Sequence, residues 1–169
     1  MENMNPRELL ILAIQIEENG YAYYSRMTER TDNAGAKEIF RYLAAQEKQH
    51  IVDFKTIAQN LGPSGDVLPA VYQVPEIQGY LAALADGRVF PSLMNGEAAK
   101  KAAAEIDSDI DAIAYAIVFE KDAILFFGEV LEMLSKDHPE RGAILELIHQ
   151  EKLHISRLHV LAGQIKGGA

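Results

Sequence analysis

One stretch of this chain is written twice. Ala13-Ile14-Gln15-Ile16-Glu17-Glu18-Asn19-Gly20 recurs as Ala116-Ile117-Val118-Phe119-Glu120-Lys121-Asp122-Ala123. Gln46-Glu47-Lys48-Gln49-His50-Ile51 recurs as Gln150-Glu151-Lys152-Leu153-His154-Ile155. The offsets are 103 and 104 residues, so both matches fall at corresponding places in their halves. A repeat of this length is too long for a solenoid unit. It is one helical hairpin used twice, each copy carrying a lone glutamate and a Glu-x-x-His motif.

The flanking sequence reads as helix almost throughout. Asn5-Pro6-Arg7-Glu8 is a helix start, with Asn5 as N-cap, Pro6 in the first position and Glu8 placed for a capping box. The first helix is expected over about 6–30, with an apolar stripe of Leu10, Ala13, Ile14, Tyr21 and Tyr24. Asp32-Asn33 with Gly35 marks a turn and a new cap. The second helix follows over about 33–61, with Phe40, Leu43, Phe54 and Ile57 inward, and Gly62-Pro63-Ser64-Gly65 ends it. Residues 62–107 hold Pro63, Pro69, Pro75 and Pro91 and read as a long crossover with short helices at about 75–86 and 97–105. A third helix is expected over about 108–135, and a fourth over about 139–164 after the turn Asp137-His138-Pro139-Glu140. Gly167-Gly168-Ala169 is a frayed end. The fold class is therefore all-α: a single domain, a four-helix bundle of two pseudo-repeated hairpins joined by a long crossover.

Spacing explains why these residues point to metal. Residues i and i+3 share a helix face, so in Glu47-x-x-His50 and Glu151-x-x-His154 carboxylate and imidazole aim the same way. Glu17 and Glu47 are equidistant from the first turn, and Glu120 and Glu151 from the second. In an antiparallel hairpin such residues sit side by side, roughly 23 Å from the turn at 1.5 Å per residue. Four carboxylates and two imidazoles at one level are what a bundle uses to hold two metal ions. Each histidine would serve one ion, Glu47 and Glu151 would bridge, and Glu17 and Glu120 would be terminal. The mixed oxygen and nitrogen set suits iron or manganese, with zinc possible. The same glutamates lie on otherwise apolar stripes, where an uncompensated carboxylate is costly.

A single Glu-x-x-His is a weak signal, and Glu146-Leu147-Ile148-His149 also fits the pattern. That copy breaks the repeat and lies off the stripe of Ile144, Leu147, Glu151, Ile155 and Leu158. Glu18 competes with Glu17 in register, and the repeat favours Glu17. Tyr24, seven residues after Glu17, is placed either to hydrogen-bond a ligand carboxylate or supply an electron, or simply to fill the core; Phe127 takes its place in the second copy. Gly20 and Ala123 are small, which leaves room for a small oxidant or serves helix packing. His138, His149 and His159 read as surface residues or as neighbours of the ligands.

Composition narrows the chemistry further. The chain has no cysteine, which removes disulfides, cysteine-ligated metal sites and thiol catalysis. A net charge of −9 argues against nucleic acid, which needs a basic face; two divalent cations would neutralise four ligand carboxylates. No stretch of about 18 apolar residues exists to span a membrane, and Met1 to Pro6 does not read as a signal peptide. The expected location is the cytoplasm.

With Glu17, Glu47-x-x-His50, Glu120 and Glu151-x-x-His154, the Ala-Ile-x-x-Glu segments and the Phe-Glu-Lys-Asp run at 119–122, the chain resembles the rubrerythrin branch of the ferritin-like di-iron superfamily. The resemblance covers both hairpins and is less diagnostic in the crossover. It implies a ferritin-like bundle, a non-haem centre of two iron ions and reaction with hydrogen peroxide or dioxygen. It also implies a homo-oligomer, a dimer being favoured. Full-length rubrerythrins carry a cysteine-ligated iron that delivers electrons, so here the electrons must come from an external donor protein. Typical members have an extra glutamate where this chain has Ala123, which puts the mechanism tied to that ligand in question. The expectation is a di-iron oxidoreductase. The alternatives are a ferroxidase or iron-storage protein and a structural metal-binding bundle.

Overall fold

The computed structural model describes residues 5–62, 68–85, 87, 89 and 104–167. The elements are α1 (Pro6–Arg30), α2 (Ala34–Asn60), a single 3-10 turn (Ala70–Gln73), α3 (Pro75–Ala85), α4 (Asp109–Met133) and α5 (Arg141–Gly167). No strand occurs among the described residues, and no helix of these residues is long and apolar enough to cross a membrane.

Local chemistry sets the helix ends. Asn5 accepts from the Glu8 amide at 3.0 Å while Glu8 accepts from the Asn5 amide at 2.8 Å, a complete capping box. Asn33 caps α2 by accepting from the Ala36 amide at 2.9 Å, and Ser108 caps α4 by accepting from the Asp111 amide at 3.1 Å. Beyond the end of α2, Gly62 takes φ 61°, the left-handed conformation that closes a helix and that glycine adopts without strain. The Arg7 guanidinium donates to the Ala58 carbonyl at 3.1 Å, and Arg141 donates to the carbonyls of Leu131 and Leu134. These bonds satisfy carbonyls at the C-terminal ends of α2 and α4 that the helices leave unpaired.

α1 packs along α2 and α4 along α5, while α1 also meets α4 and α2 meets α5. Two apolar clusters fix the directions. One joins Leu9 and Leu10 of α1, Phe54 and Ile57 of α2, Phe126 and Val130 of α4, and Ile144 and Leu147 of α5. The other joins Tyr24 and Met27 of α1, Phe40 and Leu43 of α2, Ile113 and Ala116 of α4, and Leu158 and Leu161 of α5. The start of α1 thus lies against the end of α4, and the start of α2 against the end of α5. It follows that α2 and α4 run parallel, and the chain must cross the full bundle between them. That is why the crossover is long. Its α3 and 3-10 turn bury Tyr72, Leu81 and Leu84 in the first cluster.

Several expectations change in detail. α4 ends at Met133 rather than near 135, and α5 starts at Arg141 and runs to Gly167. Tyr21 is exposed and Ile14 only half-buried, because the inner face of α1 runs through Leu9, Leu10, Ala13, Ile16, Glu17, Gly20 and Tyr24. Ile155 is half-buried as well. The expected short helix at 97–105 falls mostly outside the described residues, as do Pro63–Gly65, Pro91, Met1–Met4 and Gly168-Ala169.

Candidate metal centre

Between the two apolar clusters lies a layer of six polar side chains. Glu17 comes from α1, Glu47 and His50 from α2, Glu120 from α4, and Glu151 and His154 from α5. Each is at most 1% exposed. All sit near the middle of their helices, as their distances from the turns require. The six residues singled out from the sequence are therefore brought together. Glu146, His149, His159 and Glu18 are all exposed and lie outside the layer, and His138 lies half-buried at the start of the turn before α5.

The six resolve into two overlapping groups. Glu17, Glu47, His50 and Glu151 form one, and Glu47, Glu120, Glu151 and His154 the other; within each, one ligand atom per residue lies within 4.8 Å of the others. Glu47 and Glu151 belong to both. His50 Nδ1 stands 2.9 Å from Glu151 Oε1 and 3.5 Å from Glu17 Oε2. His154 Nδ1 stands 2.8 Å from Glu151 Oε2, 3.3 Å from Glu47 Oε1 and 3.5 Å from Glu120 Oε1. The two imidazoles lie nearly parallel, 15° between planes and 5.4 Å between centroids.

Whether these residues fit a metal is decided by their unpaired atoms. Both oxygens of Glu17 and of Glu151, one oxygen each of Glu47 and Glu120, and Nδ1 of both histidines are buried without a hydrogen-bond partner among the described residues. Buried polar groups are otherwise almost always paired. Here the atoms stand close together without being paired, one from each residue within 4.8 Å of the others in each group. That is the arrangement of a ligand set, and the donors fit two ions sharing two carboxylates.

Electrostatics carries the same signature. Burial and the facing carboxylates Glu47 and Glu151 raise the Glu17 carboxyl well above its ordinary range. Burial, Glu151 and Glu47 do the same to Glu120, against a smaller opposing pull from His154. Burial alone would lower His50, but contact with Glu151 outweighs it and pushes the imidazole up to about 9. His154 is likewise raised against burial, by Glu120, Glu151 and Glu47. Glu151 is held below its usual range by the two imidazoles despite burial. In the absence of cations, protons take their place and neutralise the layer.

Neighbouring residues shape the site. Tyr24 donates its hydroxyl to Glu120 Oε1, so of its two sequence readings the carboxylate partner is the one realised, across the hairpins rather than to Glu17. Burial and Glu120 raise its phenol well above the ordinary value. A Cβ on Gly20 would stand 3.0 Å from Glu47 Oε2 and 3.1 Å from the Phe119 ring, so glycine here lets Glu47 lie against α1. Ala123 is buried. Sequence reasoning missed Gln150. Its Oε1 lies 2.8 Å from His50 Nε2, and the only hint was that glutamine precedes the motif glutamate in both copies.

No curated protein matches the sequence. Among solved structures, a candidate ferritin-like diiron-carboxylate protein from Thermotoga maritima shares the fold with a TM-score of 0.67; at 22% identity the match covers 96% of this chain and 97% of that one. The rubrerythrin profile matches residues 8–108, which include Glu17, Glu47 and His50. Glu120, Glu151 and His154 lie beyond the match and rest on the internal repeat and on the geometry above. The buried carboxylate and histidine layer fits a di-iron protein, and with more than half of its 169 residues matched the chain belongs to the rubrerythrin family.

Proposed function

We propose that the chain is a di-iron oxidoreductase that reduces hydrogen peroxide or dioxygen with electrons from an external donor protein. The observation that carries this reading is the sharing of Glu47 and Glu151 between two four-residue groups. Glu17 and His50 would complete one iron position, and Glu120 and His154 the other. When bound, a ferrous pair would supply two electrons, enough to take hydrogen peroxide to water or dioxygen to hydrogen peroxide.

The protein's own residues prepare the site for that chemistry. Apolar clusters above and below the layer exclude bulk water, which strengthens every charge interaction inside. Gly20 keeps side-chain bulk away from Glu47. Tyr24 holds a proton at Glu120 Oε1 and fixes that carboxylate's orientation. With no cysteine in the chain, the returning electrons come from another protein.

An anaerobic ferrous titration tests this first. Two irons per chain are expected, and fewer in Glu47→Ala combined with His154→Ala. Unchanged stoichiometry in that double variant would remove the basis of the proposal. Rapid reoxidation of the loaded protein by peroxide or dioxygen, without growth of a mineral core in a shell-sized assembly, separates the oxidoreductase from iron storage. A loaded site inert to both oxidants would leave a static metal-binding bundle.

A further inference from the structure

The two halves of the site are not equivalent outside the ligands. His50 Nε2 lies 2.8 Å from Gln150 Oε1. The orientation of that amide is set from its other side, where Gln150 Nε2 donates to Glu146 Oε1 at 3.2 Å. With the amide nitrogen committed to a carboxylate, its oxygen faces the imidazole, and His50 must donate through Nε2. Nδ1 is then the ring nitrogen left to ligate an ion beside Glu17 and Glu151. Glu146, the glutamate of the misleading Glu-x-x-His match, thus anchors a relay that runs Glu146, Gln150, His50.

His154 has no counterpart. Its Nε2 is buried and has no hydrogen-bond partner among the described residues, although Gln46 holds the position in the first hairpin that Gln150 holds in the second. Its ring instead meets the Tyr42 ring edge-on, with centroids 6.4 Å apart. A histidine whose distal nitrogen is tied down binds metal more tightly than one whose tautomer and ring orientation are unspecified.

We infer that Gln150 is a positioning residue that makes the two metal positions unequal: the Glu17/His50 position is preorganised and fills first, and the Glu120/His154 position fills second and more weakly. This rests on the six residues being the ligands proposed above. The consequence is an ordered centre, with one ion held firmly and the other exchanging more readily.

The test is anaerobic calorimetric titration of the full chain with ferrous iron. The wild type is expected to show a tight and a weak step. His50→Ala should remove the tight step and His154→Ala the weak one. Gln150→Leu should weaken the tight step by about 10–100-fold and leave the weak step alone. Gln150→Glu, which keeps an acceptor for His50, should retain the tight step, a rescue that a merely structural role would not give. Two equal steps in the wild type, loss of the tight step in His154→Ala, or equal weakening of both steps in Gln150→Leu would overturn the inference while leaving two bound metals. Absence of iron binding in the wild type would instead overturn the metal reading on which it stands.

Discussion

A methyl group at Gly20 would fit only if its neighbours gave way by a few tenths of an ångström. The added Cβ would press on Glu47 Oε2 and on the Phe119 ring, and both neighbours are buried. Gly20→Ala is expected to cost about 1–3 kcal/mol of stability in the metal-free protein, as overpacked cores do, and to weaken metal binding by displacing Glu47. Denaturant unfolding with a chelator present, alongside metal content, checks both effects; a variant that unfolds and binds like the wild type would show that Glu47 can move aside freely. At this scale the sequence was most legible where it repeats. Glu17, Glu47, His50, Glu120, Glu151 and His154 could be picked out because each has a partner one offset away and because carboxylates on apolar stripes need a reason. Gln150 could not be, since a half-buried glutamine beside a charged motif looks like any surface residue until the facing helix is in place. Tyr24 was ambiguous for a related reason: its partner, Glu120, lies 96 residues away in sequence.

Three of the four bundle helices, α1, α2 and α4, begin where a side chain can stand in for a missing turn. Asn33 is the most exposed to test, because it caps α2 after a connection of only three residues, 31–33. Asn33→Ala should lower stability by about 1 kcal/mol, a shift of roughly 2–4 °C in thermal midpoint for a chain of this size, with metal stoichiometry unchanged. A loss of metal in that variant would mean that the turn, and not only the helix faces, sets the level of Glu17 and Glu47. Helix starts were readable from Asn5 and Asn33 because capping is local chemistry. The inner face of α1 was less so: Tyr21 and Ile14 are apolar enough to sit in the stripe, but the direction from which α4 approaches selects Ile16, Gly20 and Tyr23 instead. The parallel course of α2 and α4 was implied only by the length of the crossover and becomes explicit through the two clusters.

The whole molecule stores protons at its centre when no cation is there. Glu17, Glu120, His50 and His154 all hold protons more tightly folded than unfolded. Their stabilisation is complete at low pH and is lost as pH rises, for His50 between its ordinary 6.5 and about 9. Glu151 acts oppositely, contributing above its ordinary 4.5 and losing that contribution as pH falls. The metal-free protein should therefore lose thermal stability from pH 6.5 to about 9. Metal ligation requires the same groups deprotonated, so the stabilisation given by ferrous iron should grow over that interval. Thermal unfolding with chelator and with iron across the interval checks both; a flat metal-free profile would mean that the layer is not where the protons reside. The placement of the layer has one more consequence. Its members come from four separate helices at a single level, and the tie from Glu17 to Glu151 spans most of the chain. Ions held there would act as a crosslink, closing long loops as a disulfide does elsewhere, in a chain that has no cysteine to form one. Unlike a disulfide, that fastening opens whenever the ions leave, so the persistence of the folded chain would follow the supply of metal around it.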